Sequence, residues 1–384
     1  MAEPLAAFDL LIRAGRAIGP AAGSDAPVTV AVRGDRIFAI GASVASTAAR
    51  ILNFPDAVLL PGLIDLHAHP AREGSIFGID PDRDSLPHGV TTMLSQGDAG
   101  ARNWPLYRQV TIHGSRTRVR LALNLSARGE QSPRGCFANL EDIDVDACVR
   151  TIEEDADHLI WGIAVNASHH ACAATDPREV LRRALLVAEA TGRPLLYGMR
   201  RPSDWSFADQ MTLLRPGDVV TYCYRREPHC IIEGGRVHSA IRAARTKGVL
   251  FDVGHGMASF DFAVAEAALA DSFAPDTIST DLQARHLGAS PPHTLTRVMA
   301  KLRAAGMREA DVFAAVTVRP AQIMRLQNEV GVLALGACAD LTVLRWNEDP
   351  AQLLDAHGAS RLAGVWETLV TVRGGQVVRA PHQT

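Results

Sequence analysis

The sequence predicts an α/β protein: a (β/α)₈ barrel of the TIM type plus a small β-sandwich formed by both chain termini. Short apolar runs recur through the middle of the chain, at 58–66, 90–94, 119–125, 159–165, 194–197, 219–222, 249–253 and 277–280, with helical patterns between them. Near-continuous apolar strands separated by amphipathic helices indicate a parallel sheet buried on both faces, and eight of them favour the closed barrel. β-branched runs at 8–12, 28–32 and 37–40 find counterparts only at the far end, at 341–344, 370–372 and 377–378. Chain termini often lie close together, so these two sets are expected to form one domain.

The first runs are punctuated by Ala14-Gly15 and Gly34-Asp35, which suit hairpins, and the last by Gly374-Gly375. The division expected is a β-sandwich from 1–56 and 331–384 and a barrel catalytic domain over 57–330. Within the barrel, a helix over 177–190 opens on Asp176 and Pro177, and one over 237–247 stops at Gly248. No internal repeat or low-complexity linker interrupts the pattern.

Composition fits a soluble enzyme: 384 residues, 47% hydrophobic and 21% charged, with a formal net charge of -3. That balance attracts neither nucleic acid nor an anionic membrane, so no partner of either kind is expected. The opening residues carry no signal segment, and no uninterrupted apolar stretch is long enough to span a membrane, which predicts a cytoplasmic protein. The cysteines, at 136, 148, 172, 223, 230 and 338, lack Cys-x-x-Cys spacing. Reduced, mostly buried thiols are expected rather than a structural zinc or a disulfide frame.

The chemistry concentrates at Pro61-Gly62-Leu63-Ile64-Asp65-Leu66-His67-Ala68-His69. Side chains on a strand alternate faces, so His67 and His69 point the same way and can chelate one divalent cation. Active sites of such barrels sit at the C-terminal ends of the strands. On that rule His67 and His69 end strand one, Asn166 ends strand four, Tyr222 strand six, and His255 and Asp281 follow strands seven and eight.

Further motifs occur in order: Ile79-Asp80-Pro81-Asp82, Gly89-Val90-Thr91-Thr92, Gly217-Asp218-Val219-Val220-Thr221, Phe251-Asp252-Val253-Gly254-His255-Gly256, Ser259-Phe260, Ile278-Ser279-Thr280-Asp281-Leu282, Thr317-Val318-Arg319-Pro320-Ala321 and Gly336-Ala337-Cys338-Ala339-Asp340. Together with the paired histidines they resemble the deacetylase-type, dihydroorotase-like branch of the amidohydrolase superfamily over nearly the whole chain. The resemblance implies the barrel with its terminal β-sandwich and metal-dependent hydrolysis of amide or ester bonds in small molecules.

It also implies a binuclear metal centre, bridged by a carboxylated lysine on strand four and completed by histidines on strands five and six. The matching positions here are Ala164, Gly198 and Tyr222. The only lysines, Lys247 and Lys301, are expected in helices away from the barrel mouth. What remains of the family's set is His67, His69 and Asp281, a two-histidine, one-carboxylate group suited to a single divalent ion, with zinc the expected metal. Asp281 would ligate it or carry the proton from water to the leaving group.

Each residue also has a structural role open to it. The histidines could be satisfied core groups, Asp281 an N-cap, and Tyr222 either a donor to a substrate carbonyl or a plug in the vacated volume. His255, between two glycines, and Asn166 are candidates for substrate contact. His169-His170, His229 beside Cys230, and His286 could fold inward to rebuild a coordination sphere, and Arg200-Arg201 with Arg225-Arg226 could grip an anionic substrate. The function expected is a mononuclear hydrolase of an amide, cyclic amide or ester in a small molecule. The alternatives are a barrel that has lost hydrolysis and binds a ligand or partner, and a non-hydrolytic metal enzyme such as a decarboxylase. A homo-oligomer is compatible with the sequence but not indicated by it.

Overall fold

The computed structural model describes residues 8–18, 26–42, 44, 47–200, 202–228 and 230–379. Strands β1 (Phe8–Ala17), β2 (Val28–Arg33), β3 (Arg36–Gly41) and β4 (Ala48–Pro61) come from the N-terminal part. The middle supplies β5 (Leu63–Ala68), β6 (Val90–Gln96), β7 (Arg118–Asn124), β8 (Ile160–Asn166), β9 (Leu195–Gly198) and β10 (Val219–Thr221). A small hairpin, β11 (Ile232–Glu233) and β12 (Arg236–Val237), then precedes β13 (Leu250–Phe251). The chain closes with β14 (Leu341–Leu354), β15 (Ser360–Arg373) and β16 (Gln376–Arg379).

Strands from both ends share one sheet, in the order β16-β15-β14-β4-β1-β2-β3. The join is antiparallel, with Pro61 opposite Leu341 and Val58 opposite Leu344. Its core mixes Leu10, Ile12, Val30 and Val32 with Leu341, Val343, Val370 and Val372, so neither end buries its apolar face alone. The expected two-layer sandwich is thus one continuous seven-stranded sheet. The reason is the reach of β4, which pairs with β1 from Ala48 to Leu59 on one side and with β14 over its last four residues on the other.

The single strand expected over 58–66 is in fact two. Pro61 pairs with Leu341 in the terminal sheet, whereas Leu63 pairs with Val90 in the second sheet, so the chain crosses between layers at Gly62. A Cβ there would lie 2.2 Å from Thr91 Oγ1, which leaves room only for glycine.

The second sheet is parallel throughout, ordered β13-β10-β9-β8-β7-β6-β5. The expected eighth strand, 277–280, makes no ladder, and to that extent the closed eight-stranded expectation is corrected. Isolated parallel bridges join Thr277 to Asp252 and Leu282 to Ala68, one at each edge of the sheet. Backbone bonds from Asp281 N to His67 O (2.7 Å) and from His69 N to Leu282 O (2.9 Å) fasten this segment to the end of β5. The ladder is interrupted where Asp281 takes a φ of 50°, outside the extended region.

The helix expected over 177–190 is found at Pro177–Thr191, whereas the one expected over 237–247 starts only at Ser239, because Val237, in β12, pairs with Ile232. Pro177–Thr191 is capped by the Asp176 carboxylate, which accepts from Arg178 N, and Ser239–Lys247 ends at left-handed Gly248. All six cysteines are free, four of them buried. Among the described residues no helix is long and apolar enough to cross a membrane.

Candidate active site

β5 and the residue after it carry His67 and His69 into the interior beyond the C-terminal ends of the parallel strands. Both are buried, and both rings turn to the same side, as the i and i+2 spacing requires. Their Nε2 atoms lie 3.4 Å and 3.2 Å from one oxygen of Asp281, Oδ1. The ligand atoms of the three residues all fall within 4.8 Å of one another. Asp281 reaches this point from its positive-φ turn, and Gly256 makes room for it: a Cβ on Gly256 would stand 2.4 Å from Asp281 Oδ2. The helical turn that follows is headed by Gln283, so Asp281 is not its N-cap.

The outer nitrogens meet a layer of carboxylates and hydroxyls. His69 Nδ1 lies 3.0 Å from Asp98 Oδ1, and Ser75 and Ser95 donate to the same carboxylate at 2.6 Å each. His67 Nδ1 lies 2.7 Å from Thr221 Oγ1, which donates to Asp252 Oδ2 at 2.8 Å. Asp252 also accepts from Thr277 and Ser279, while Asp65 accepts from the Thr280 hydroxyl and amide. The serine and threonine side chains of 277–280 thereby tie this segment to β5 and to the residue after β13.

Burial opposes charging His67, but the negative charges of Asp281 and Asp252 outweigh it, and the pKa rises from 6.5 to about 9. His69 is likewise raised well above its ordinary value, burial again being overcome, here by Asp98 and Asp281. Burial alone would push Asp281 up, yet the two adjacent imidazoles hold it well below the usual carboxylate range. Without a metal, the carboxylates thus draw both imidazoles toward their protonated forms, and the imidazoles draw Asp281 toward its carboxylate.

These residues fit a divalent cation. Asp281 Oδ1 is buried and close to both imidazoles, yet no donor hydrogen-bonds to it with acceptable geometry. Two imidazole nitrogens and a carboxylate oxygen converging on one buried point form a donor set suited to zinc and similar ions. A bound cation would compete with protons for the two imidazoles and satisfy the Asp281 oxygen.

A deacetylase of Agrobacterium fabrum (strain C58) is 30% identical over 365 residues, covering 93% of this chain and 88% of the relative. The chain belongs to the amidohydrolase family. The profile of that family matches residues 254–378, which include Asp281. A Brucella anthropi deacetylase is also 30% identical, over 93% of this chain and 89% of its own length. Among solved structures, an adenine deaminase superposes with a TM-score of 0.89 at 27% identity, covering 97% of this chain and 100% of that one. A dihydroorotase superposes with a TM-score of 0.87 at 28% identity, over 97% and 99%. The protein is a metal-dependent hydrolase acting on carbon–nitrogen bonds.

This amidohydrolase has a cavity of about 420 Å³ lined by His69, Asp281, Tyr222, Asn166 and Glu130. Tyr222, at a φ of 66°, puts its hydroxyl 3.4 Å from His67 Nε2. Its ring edge is 3.2 Å from where a Gly198 Cβ would be, so it fills the volume beside that position. The Asn166 amide oxygen accepts from Ser168 N, which holds the side chain at the end of β8.

His255 is placed differently from the expectation. Its Nδ1 donates to Gly256 O at 2.9 Å and its Nε2 lies 2.8 Å from Lys301 Nζ, so both nitrogens are engaged within the protein. Lys301, expected to be remote, is buried in the helix Leu295–Ala304 and reaches this loop, whereas Lys247 is at the surface and donates to Thr212 O. His169 and His170 are exposed, with His170 on the cavity rim. His286 is buried and stacks on His293 at 4.2 Å, outside the cluster of three.

Of the arginine pairs, Arg200 and Arg225 are engaged within the protein. Arg200 is bound to Asp204 at 2.6 Å, and Arg225 donates to the carbonyls of Met199 and Arg200, so both fasten loops. Arg201 and His229 lie outside the described residues, and Arg226 is exposed.

Glu130, Asp98, Asp252 and Asp65 escaped the sequence reading. Burial lifts the Glu130 carboxyl to about 7 in the cavity wall. A signal for Asp65 and Asp252 was present, since each interrupts an apolar strand run where an aspartate is seldom buried without partners. Glu130 and Asp98 lie in loops without such a mark.

Proposed function

We propose that the chain is a mononuclear amidohydrolase, with His67, His69 and Asp281 holding one divalent ion, zinc by preference, and that it cleaves an acyl amide, cyclic amide or ester of a small molecule. The observation that carries this reading is the convergence of three donor atoms within 4.8 Å beside a cavity of small-molecule size. Alanine, glycine and tyrosine at 164, 198 and 222 offer no lysine or imidazole for a second ion. The deacetylase relatives favour removal of an acetyl or similar acyl group. We assign the catalytic α/β domain to 57–330, with 277–282 bridging both edges of its parallel sheet, and the terminal β domain to 1–56 and 331–384. The cytoplasm is the compartment we assign.

A bound ion would supply Lewis-acid polarisation of the scissile carbonyl and acidify water. The chain does the rest. His67 and His69 would hold the ion through their Nε2 atoms, and Asp281, acidic enough to be a carboxylate at neutral pH, takes the proton from the attacking water on Oδ2 and hands it to the leaving nitrogen or oxygen. The Tyr222 hydroxyl orients the substrate carbonyl, and the Asn166 side chain contacts the substrate at the cavity wall.

Metal analysis of protein purified without added metal, followed by assay against N-acyl amino acids, cyclic amides and acetyl esters, tests the reading. One equivalent of metal with chelator-sensitive turnover is expected. Two equivalents would overturn the mononuclear assignment, metal-independent turnover the metal-dependent one, and no turnover the hydrolytic one.

A further inference from the structure

Both candidate histidine ligands are held from behind by a buried aspartate, by two different routes. Asp98 Oδ1 lies 3.0 Å from His69 Nδ1. The same carboxylate takes the hydroxyl protons of Ser75 and Ser95. Asp252 is 3.6 Å from His67 Nδ1, too far for a hydrogen bond, and Thr221 stands between them. Thr221 Oγ1 donates to Asp252 at 2.8 Å and is 2.7 Å from His67 Nδ1. Asp252, Thr221, His67 and Asp98 are all buried, out of reach of bulk solvent.

The proton count at Thr221 decides the histidine's tautomer. A hydroxyl has one proton, and that of Thr221 is committed to Asp252, where Ser279 and Thr277 also donate. Toward His67 the hydroxyl can only accept, so Nδ1 must carry hydrogen. A carboxylate likewise only accepts, and Asp98 imposes the same state on His69. In each ring the lone pair of the neutral form is then on Nε2, the nitrogen that faces Asp281 Oδ1.

We propose that Asp98 and Asp252 are paired positioning residues that fix His69 directly, and His67 through Thr221, with Nδ1 protonated and both Nε2 lone pairs turned to the metal position. The inference rests on the metal-binding reading above. It assigns a distinct role to Thr221, whose hydroxyl relays the orientation that a directly bonded carboxylate provides at His69. Partners of this kind typically change metal affinity by roughly 10–100-fold.

The test compares Thr221→Val, Thr221→Ser and Asp98→Asn with the unsubstituted protein. Zinc dissociation constants come from chelator competition, and imidazole N–H protons from NMR of the zinc-loaded, ¹⁵N-histidine-labelled protein. Thr221→Val removes the acceptor at nearly constant volume, and Asp98→Asn introduces an amide that can donate to His69 Nδ1. Each should weaken zinc binding by roughly 10–100-fold and abolish the slowly exchanging Nδ1 proton of its own histidine only. Thr221→Ser should restore both readouts. Unchanged zinc affinity in folded Thr221→Val and Asp98→Asn overturns the proposal, as does Thr221→Ser behaving like Thr221→Val, which would make the effect one of packing. These results leave the hydrolase reading standing. A wild type that binds no divalent metal overturns both.

Discussion

Lys301 Nζ lies 2.8 Å from His255 Nε2, a buried pair that joins the helix Leu295–Ala304 to the loop preceding Gly256. The lysine is the donor, since His255 Nδ1 already gives its proton to Gly256 O. Burial, and secondarily Lys301, hold His255 well below its ordinary pKa, which keeps it neutral and able to accept. His255 therefore braces the wall against which Asp281 rests.

Lys301→Met should leave the His255 acceptor without a partner and cost roughly 1–3 kcal/mol of stability. Burial, then Arg297, lowers the lysine's own pKa from 10.5 to about 8. Between those values the unfolded chain binds more protons than the folded one, so this group's contribution to stability rises with pH over that window. Denaturation at pH 7.5 and pH 10 checks both points: the variant should be weaker than wild type and should lose that increment.

Metal binding should tighten with pH. A cation must displace the proton from His67, whose pKa is about 9, so affinity should climb about tenfold per pH unit for that proton alone up to pH 9. His69, raised well above its ordinary value, steepens the rise. In the metal-free protein the sign reverses: stability from His67 is fully present below 6.5 and lost as pH rises through 9. Chelator-competition titrations and metal-free melts between pH 6 and pH 9.5 would register the two opposite slopes.

Gly256→Ala should damage the site without touching a ligand. The new methyl would meet Asp281 Oδ2 at 2.4 Å, and the residue's φ of 50° disfavours any side chain. Metal affinity should fall at least about tenfold, with a stability loss on the order of 1 kcal/mol or more. Titration with zinc that gave a wild-type dissociation constant would mean Asp281 does not need its observed position.

The three ligands should fail in different ways. His67→Ala or His69→Ala removes a donor atom, so metal and activity should disappear together. Asp281→Asn keeps an oxygen but not the charge or the ability to take a proton. It should retain part of the metal while kcat drops by about 10²–10⁴-fold. Paired metal content and turnover numbers separate these cases, and near-normal turnover by Asp281→Asn would refute its proton-transfer role.

The sequence by itself determined the parallel α/β core, the pairing of both termini and the alignment of His67 with His69. These follow from local rules: apolar periodicity marks strands and helices, and alternation along β5 puts i and i+2 on one face. Asp281 was legible through its motif. Tertiary structure alone decided the single terminal sheet, the segment 277–282 bridging two edges without a ladder, and the reassignment of His255 and Arg225 to internal bonds. It also decided the carboxylate layer, because Asp98, Thr221 and Asp252 are far from the histidines in the chain and only strand order brings them to Nδ1. Hydrogen-bond partners across a sheet depend on which strands are neighbours and in what register, and periodicity within one segment carries no record of either.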